Sequence, residues 1–308
     1  MKTPWIQLGP WPGGVDNVNS VRSLTPDKLK ECVDYDIDNN GFLNVPPSLT
    51  KVTGSTAGRS LWANETGTMA FVMEGALLRR FNTDTTRTTI RSGLHTTLPM
   101  CYDEINNMYY YSNSQIIEMT DGYSVMSFQD AFTADMAIVD RQFKKVMPPG
   151  SILKFFNNRL YSVLGGRIVF SDAMHFVCYD TRFYRIDVPA NITMFMPVAD
   201  GIWISFGGNT YFMQGLDPDT GLTLIHKADY GAIGQAVRVP KGFLSAAMSS
   251  DMDIMWESSR GKCVGTTGGN LINLSIGKYE LPDNSNNAVS YLRIKNNGIA
   301  HFISVLTN

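Results

Sequence analysis

A short unit recurs five times in this chain: a turn, a strand of about five residues, a tight hairpin at Gly or Asn, and a second strand. It occupies residues 67–81, 106–119, 157–171, 200–213 and 260–274. The hairpin centres Gly75, Asn113, Gly165, Gly207 and Gly268 stand 38, 52, 42 and 61 residues apart. The mean of about 48 residues is the length of one blade of a β-propeller. The strands carry residues suited to a pleated, half-buried surface, among them Phe71-Val72, Tyr109-Tyr110-Tyr111, Leu160–Val163 and Ile202-Trp203-Ile204. Gly165-Gly166, Gly207-Gly208 and Gly268-Gly269 permit the primed turns that match strand twist. A final pair of strands, 289–294 and 299–305, flanks Asn296-Asn297-Gly298 where a propeller would close its ring.

The expected fold is therefore all-β: a β-propeller-like ring of five to six small antiparallel sheets over residues 34–308. Residues 1–33 are expected to form an extended N-terminal arm and one short helix. Pro and Gly dominate residues 5–19, which reads as an arm able to reach a neighbour. Thr25 as N-cap, Pro26 at the first helical position and Asp27 in the first turn predict the helix to about Val33. Asp34-Tyr35-Asp36-Ile37-Asp38 then alternates like a strand, followed by the turn residues Asn39-Asn40-Gly41. Residues 128–146 are compatible with helix or loop.

Composition narrows the function classes. The chain has 308 residues, 44% of them hydrophobic, which is ample for a core. A net charge of −2 and the absence of a long Lys/Arg cluster argue against sequence-specific nucleic-acid binding. The longest uncharged stretches, 188–199 and 201–216, are too short for a membrane span and are broken by Pro and Gly. The start, Met1-Lys2-Thr3-Pro4-Trp5, lacks the apolar run of a secretory signal, so synthesis in a cytoplasm is expected. Cys32, Cys101, Cys178 and Cys263 are scattered as buried free thiols would be, and His95, His175, His226 and His301 show no zinc-site spacing.

Asp34, Asp36 and Asp38 before Gly41 resemble the start of a calcium loop, yet Gly stands at the eighth place and Val45 at the twelfth, where Gly at the sixth and Glu are needed. Gly54-Ser55-Thr56-Ala57-Gly58 has Thr at the centre of a nucleophile-elbow spacing and no helix signal after it. No phosphate-cradling or dinucleotide Gly pattern occurs in a strand-to-helix context. Glycoside hydrolysis would require two carboxyls facing one pocket, with Asp103, Glu104, Asp172, Asp200 and Asp253 as the acids near strand ends. Acids beside turn residues commonly shape the turn instead. Tyr109–Tyr111 and Trp203 are expected in blade cores, and the sixteen methionines suit adaptable packing and protein surfaces. The sequence assigns no catalytic, cofactor-binding or metal-ligating residue.

Several stretches together resemble a known family. Pro4-Trp5, Gly13-Gly14-Val15-Asp16-Asn17-Val18, Leu24-Thr25-Pro26 and Val33–Gly41 are similar to the opening of β-propeller-like virion proteins of tailed bacteriophages. Ser60-Leu61-Trp62, Asn158-Arg159-Leu160-Tyr161, Phe170-Ser171-Asp172, Asp200-Gly201-Ile202-Trp203 and Gly215-Leu216-Asp217-Pro218 extend the likeness over most of the chain. Leu43-Asn44-Val45-Pro46-Pro47 departs from it, standing where such proteins carry an Arg-rich stretch with Pro-Gly. The resemblance implies a non-enzymatic structural protein of the phage tail, nozzle-like or hub-like. It would be made in the host cytoplasm, be located in the virion, and form a homo-oligomeric ring, with six copies one arrangement, together with other tail or adaptor proteins around or beside the DNA exit channel. The alternative is a tail-associated propeller that binds or cleaves glycans at the host surface. Insertions at 172–189 and 216–240 are expected to carry partner contacts.

Overall fold

Each recurring hairpin lies inside a four-stranded antiparallel sheet in the computed structural model. The structure describes residues 10, 14–15, 18–20, 23–25, 27–30, 36–37, 43–44, 58–82, 84, 86–240, 253–276, 281, 287–294 and 300–307. Near the N-terminus are four two-residue strands, β1 (Gly14–Val15), β2 (Lys28–Leu29), β3 (Asp36–Ile37) and β4 (Leu43–Asn44). The first blade is β5 (Gly58–Ala63), β6 (Ala70–Glu74), β7 (Leu77–Phe81) and β8 (Arg87–Arg91). The second is β9 (Cys101–Ile105), β10 (Met108–Ser112), β11 (Ile117–Thr120) and β12 (Val125–Ser127), followed by helix α1 (Phe128–Ala134) and strand β13 (Lys144–Val146).

In the third blade, β14 (Ile152–Phe156), β15 (Arg159–Leu164) and β16 (Arg167–Phe170) are completed by β18 (Arg185–Asp187). The intervening β17 (Cys178–Asp180) leaves the blade to pair with β13 in a separate two-stranded sheet. The fourth blade is β19 (Ile192–Val198), β20 (Gly201–Phe206), β21 (Asn209–Gln214) and β22 (Thr223–Ala228). The fifth is β23 (Val237–Arg238), β24 (Ile254–Ser258), β25 (Gly261–Gly265) and β26 (Leu271–Asn273). A terminal antiparallel hairpin, β27 (Asn287–Ile294) and β28 (Ala300–Thr307), stands after it. The protein is thus all-β and propeller-like, with five four-stranded blades and the terminal two-stranded hairpin following them among the described residues.

The blades are held face to face by apolar seams. Strand side chains alternate between the two faces of a sheet, so a sheet flanked on both sides must be apolar on both. In β20, Ile202 and Ile204 enter the seam with the third blade, which contains Tyr161, Phe170 and Phe195. Trp203, between them, enters the seam with the fifth blade, which contains Met194, Phe212 and Trp256. Equivalent seams join the first and second blades through Phe71, Tyr102 and Tyr109, and the second and third through Tyr110, Leu153 and Val169. Met255 and Val264, on the far face of the fifth blade, meet Leu292 and Phe302 of the terminal hairpin. Along these contacts β14 lies against both β9 and β19, which places the first strands of successive blades side by side.

Turn chemistry matches the sequence reading. Asn106-Asn107 and Asn157-Asn158 both adopt positive φ (52° and 61°, 43° and 62°), as do Gly207 and Gly208 (58° and 77°). Two consecutive left-handed residues are what a type I′ hairpin requires, and Asn and Gly tolerate them best. Gly265 has a different role: a Cβ there would lie 2.6 Å from the Trp203 indole, so only Gly lets β25 pass beneath the ring.

Three features differ from the sequence reading. The helix expected over 25–33 is not formed, because Lys28–Leu29 are a strand in parallel pairing with Gly14–Val15. The Thr25–Lys28 turn does close, with the Lys28 N–H donating to Thr25 O (3.1 Å), but the ladder takes the following backbone. The single α-helix among the described residues is α1, in the segment left open between helix and loop. In the first four blades the recurring hairpin joins the second and third strands, whereas in the fifth it joins the third and fourth. The cause is residues 232–239, which run beside β24 through pairs such as Ala232–Ser258 and Arg238–Ile254 and add an extra first strand. The described part of the expected arm, Gly14–Val15, pairs within its own chain; residues 1–9, and the calcium-like Asp34 and Asp38 with Val45, lie outside the described residues.

Trp203 is fully buried, its ring centroid 5.0 Å from Phe212 and 5.6 Å from Trp256, with Nε1 donating to Thr266 O (3.2 Å). Trp203→Ala is expected to cost about 3–5 kcal/mol in equilibrium denaturation. The exposed Met136→Ala should stay within about 0.5 kcal/mol of wild type in the same measurement. A Trp203→Ala loss below about 1 kcal/mol would contradict the role given to the seams.

Candidate interaction surface on the second and third blades

The five acids near strand ends do not converge. Asp103 accepts hydrogen bonds from the Glu104 N–H (3.0 Å) and from the Phe155 N–H, which ties β9 to β14. Asp172 is paired with Lys144 Nζ (2.7 Å). Asp200 accepts from the Gly268 N–H (3.0 Å), joining a turn of the fourth blade to one of the fifth. Asp253 is fully buried at the entry to β24, where its carbonyl accepts from the Val239 N–H (3.0 Å). Asp217 and Asp219, in the insertion at 216–240, clamp the buried Arg159 guanidinium at 3.6 and 2.5 Å. These carboxylates shape and join blades. Among the described residues no group of three or more His, Cys, Asp or Glu is placed to hold a metal ion.

Tyr109, Tyr110, Tyr111 and Trp203 are buried in the seams, as the sequence reading expected. Cys101, Cys178 and Cys263 are free, and burial is the main cause that raises all three thiols, the last to about 11. Four buried acids, Glu74, Glu118, Asp180 and Glu257, escaped the sequence reading; Glu257, on β24, has an Oε1 without a hydrogen-bond partner, and burial pushes its carboxyl up. All five residues of β24 are buried, so Glu257 is enclosed with its strand.

The distinctive surface is an elaboration of the second and third blades. Ser127 caps α1, its Oγ accepting from the Asp130 N–H (3.1 Å) and donating to the Asp130 carboxylate (2.6 Å). Phe128 and Ala131 bury the inner side of α1 in the seam of blades two and three. Arg141 closes the other end by donating to Phe132 O (2.9 Å) while its guanidinium stacks on the Phe132 ring. The chain then enters β13, whose Lys144 is caught between Asp172 and Asp180 (2.7 and 3.3 Å). Arg182 donates to both oxygens of Asp180, at 2.6 Å to Oδ2 and 3.0 Å to Oδ1. This ion network fastens the β13–β17 sheet to the flank of the third blade.

Beside α1 the elaboration leaves a groove of about 330 Å³ lined by Met119, Met126, Met174, Tyr110, Phe176 and Val177. His175 Nδ1 and Asp135 Oδ2, 3.1 Å apart, sit at its rim. Of its lining residues Met174 is 63% exposed, and in the 121–140 segment, which includes α1, Tyr123 (76%), Met136 (89%) and Val139 (76%) also face solvent. Exposed apolar groups in such density mark interaction surfaces, and flexible thioethers suit them. Part of this surface lies in the insertion at 172–189, one of the two expected to carry contacts.

No protein-family model matches the chain, and no curated protein matches it. Among solved structures, it is similar to the extracellular domain of the hybrid two-component system BT4673 from B. thetaiotaomicron, with a TM-score of 0.50 and 9% identity over 82% of this chain. The chain spans only 32% of that domain's length. It is also similar to the N-terminal domain of Nup159 (TM-score 0.48, 12% identity, 78% of this chain and 71% of that one). A further likeness is to BBS1N, solved in complex with ARL6DN (TM-score 0.48, 13% identity, 83% and 79%). At such identities the likeness is one of fold alone. Among the described residues no helix is long and apolar enough to cross a membrane.

The Asp180 carboxylate is held well below the usual carboxylate range, chiefly by hydrogen bonds from Arg182 and then from Lys144. Its folded value lies below its unfolded one, so its stabilisation is complete above about pH 4 and is lost as pH falls toward the folded value. Asp180→Asn is therefore expected to lower stability by about 1–3 kcal/mol at pH 7. The gap to wild type should narrow in denaturation series run below about pH 4. A gap that widens on acidification would contradict this origin.

Proposed function

We propose that this chain is a non-enzymatic structural component of a phage tail, a propeller-like unit that works by binding its neighbours. The reading is carried by one observation: the apolar, methionine-rich surface raised on the second and third blades by α1, β13 and β17. Two further points support it. The candidate acids Asp103, Asp172 and Asp200 are engaged in joining elements of the fold rather than facing one another across a cleft. The resemblance of the N-terminal stretch and blade turns to virion propellers supplies the setting: a ring of copies beside or around the DNA exit channel, in contact with other tail proteins. A rigid sheet assembly with an adherent flank suits that task, since it presents a fixed surface at little entropic cost.

Mass spectrometry of purified particles of the encoding phage should find the chain in stoichiometric amounts, and side-chain-resolution imaging should place it in the tail. Absence from intact particles would overturn the proposal. So would release of reducing ends from host polysaccharide by the purified chain.

A further inference from the structure

Deepening the ring reading above, on which it rests, we infer that copies of this chain join head to tail: the 121–140 segment of one copy docks on the outer face of the terminal hairpin of the next. Two apolar faces, different from each other, are on the same chain. The first is the 121–140 segment, with Tyr123, Met126, Met136 and Val139 exposed. The second is the outer face of β27–β28. Its inner face is taken by Leu292 and Phe302 packing on the fifth blade. On the outer face Val289 stands opposite Val305, Tyr291 opposite Ile303 and Arg293 opposite His301. Val289, Tyr291 and Val305 are all exposed.

Charge selects the partner. Residues 121–140 contain Asp121, Asp130, Asp135 and Asp140 and no Lys, Arg or His. Residues 287–307 contain Arg293, Lys295 and His301 and no acid. Cationic side chains that reach the 121–140 segment are engaged with it: Arg80 lies over the Tyr123 ring at 4.3 Å, Arg141 donates to the carbonyls at the end of α1, and His175 pairs with Asp135 at 3.1 Å. Either face docked on its own copy would bring like charges together around an apolar centre, whereas each docked on the other brings opposite charges together. A contact between two different patches is heterologous, and it generates a ring where the rotation between successive copies closes and an open filament where it does not.

The test is sedimentation velocity on the full chain with Met136→Asp and Tyr291→Asp, one blocking each face. Both positions are exposed, and near-UV circular dichroism and melting verify that the fold is kept. Wild type should associate beyond a dimer, and each variant alone should lose association at least about tenfold. An equimolar mixture of the two should form a one-to-one dimer, because each supplies the face the other lacks. Arg293→Asp should weaken association, and Asp130→Lys in the same chain should restore it. The inference is overturned if either blocked variant associates like wild type, if the mixture stays monomeric, or if wild type is monomeric throughout. It is also overturned if hydrogen exchange shows the outer hairpin face covered by the chain's own residues 31–57. Particle incorporation separates the two readings: incorporation untouched by both substitutions defeats this contact and leaves the tail role, whereas head-to-tail association of a chain missing from particles defeats the tail role and leaves the contact.

Discussion

Everything in this fold depends on sheets that are apolar on both faces. An antiparallel sheet exposed on one side alternates polar and apolar residues, and a sheet between two others cannot. β20 states the rule in six residues: every one of Gly201–Phe206 is buried, with Ile202 and Ile204 committed to one seam and Trp203 to the other. Neighbouring blades are thus obligatory to each other. A blade cut out alone would expose rings such as Trp203, Phe212 and Trp256, each worth several kcal/mol when buried. The polar groups then act between blades rather than on a ligand. Asp103 to Phe155, Asp200 to Gly268 and Arg159 to Asp219 each tie one blade or its loops to the next.

The same rule makes the ends of the series distinctive. The fifth blade has its far face covered by Leu292 and Phe302, but the hairpin that covers it is two strands wide and keeps an apolar outer face. On the other side Leu61 of the first blade is 70% exposed. Arg238 Nε and Glu65 Oε1, 3.6 Å apart, link the fifth blade to a turn of the first, so the two ends of the blade series approach each other on one side. The ion pair is largely solvated at Glu65 and contributes little to stability. Packing, not this pair, sets the shape.

The blade repeat was legible because its signals are local. Asn-Asn and Gly-Gly hairpins must adopt positive φ, and aromatic or β-branched runs on either side can only be strands. The expected helix at 25–33 failed for a reason no local signal contains: Thr25 closed its turn, but pairing of Lys28–Leu29 with Gly14–Val15 is a contact across a dozen residues. The extra strand of the fifth blade was hidden in the same way, since 237–238 is too short to show a period and its partner lies at 254–255. The α1 cap was readable in principle, as Ser127 followed three residues later by Asp130 is a helix-start pattern. What could not be read was the groove beside it. Met119, Met126 and Met174 belong to the outer strands of one blade and an insertion of the next, and only the β13–β17 sheet brings them together.

That assembly of distant pieces bears on how the surface could arise without disturbing the ring. The seam residues Phe128 and Ala131 belong to the core, Phe132 packs against them and Ile138 is buried, while Met136 and Val139 between Phe132 and Lys144 face solvent. The anchoring is both apolar, through Phe132, Val146, Val177 and Tyr179 against the seam, and ionic, through Lys144, Asp172, Asp180 and Arg182, which form a chain of pairs at the base of the elaboration. Breaking one partner leaves another charge partly buried and unmatched, which is costly locally but does not reach the apolar seams. Rigidity comes from Trp203 and its neighbours in the seams, and the 121–140 segment adds an outer side whose Asp121, Asp130, Met136 and Val139 are exposed because no blade core uses them.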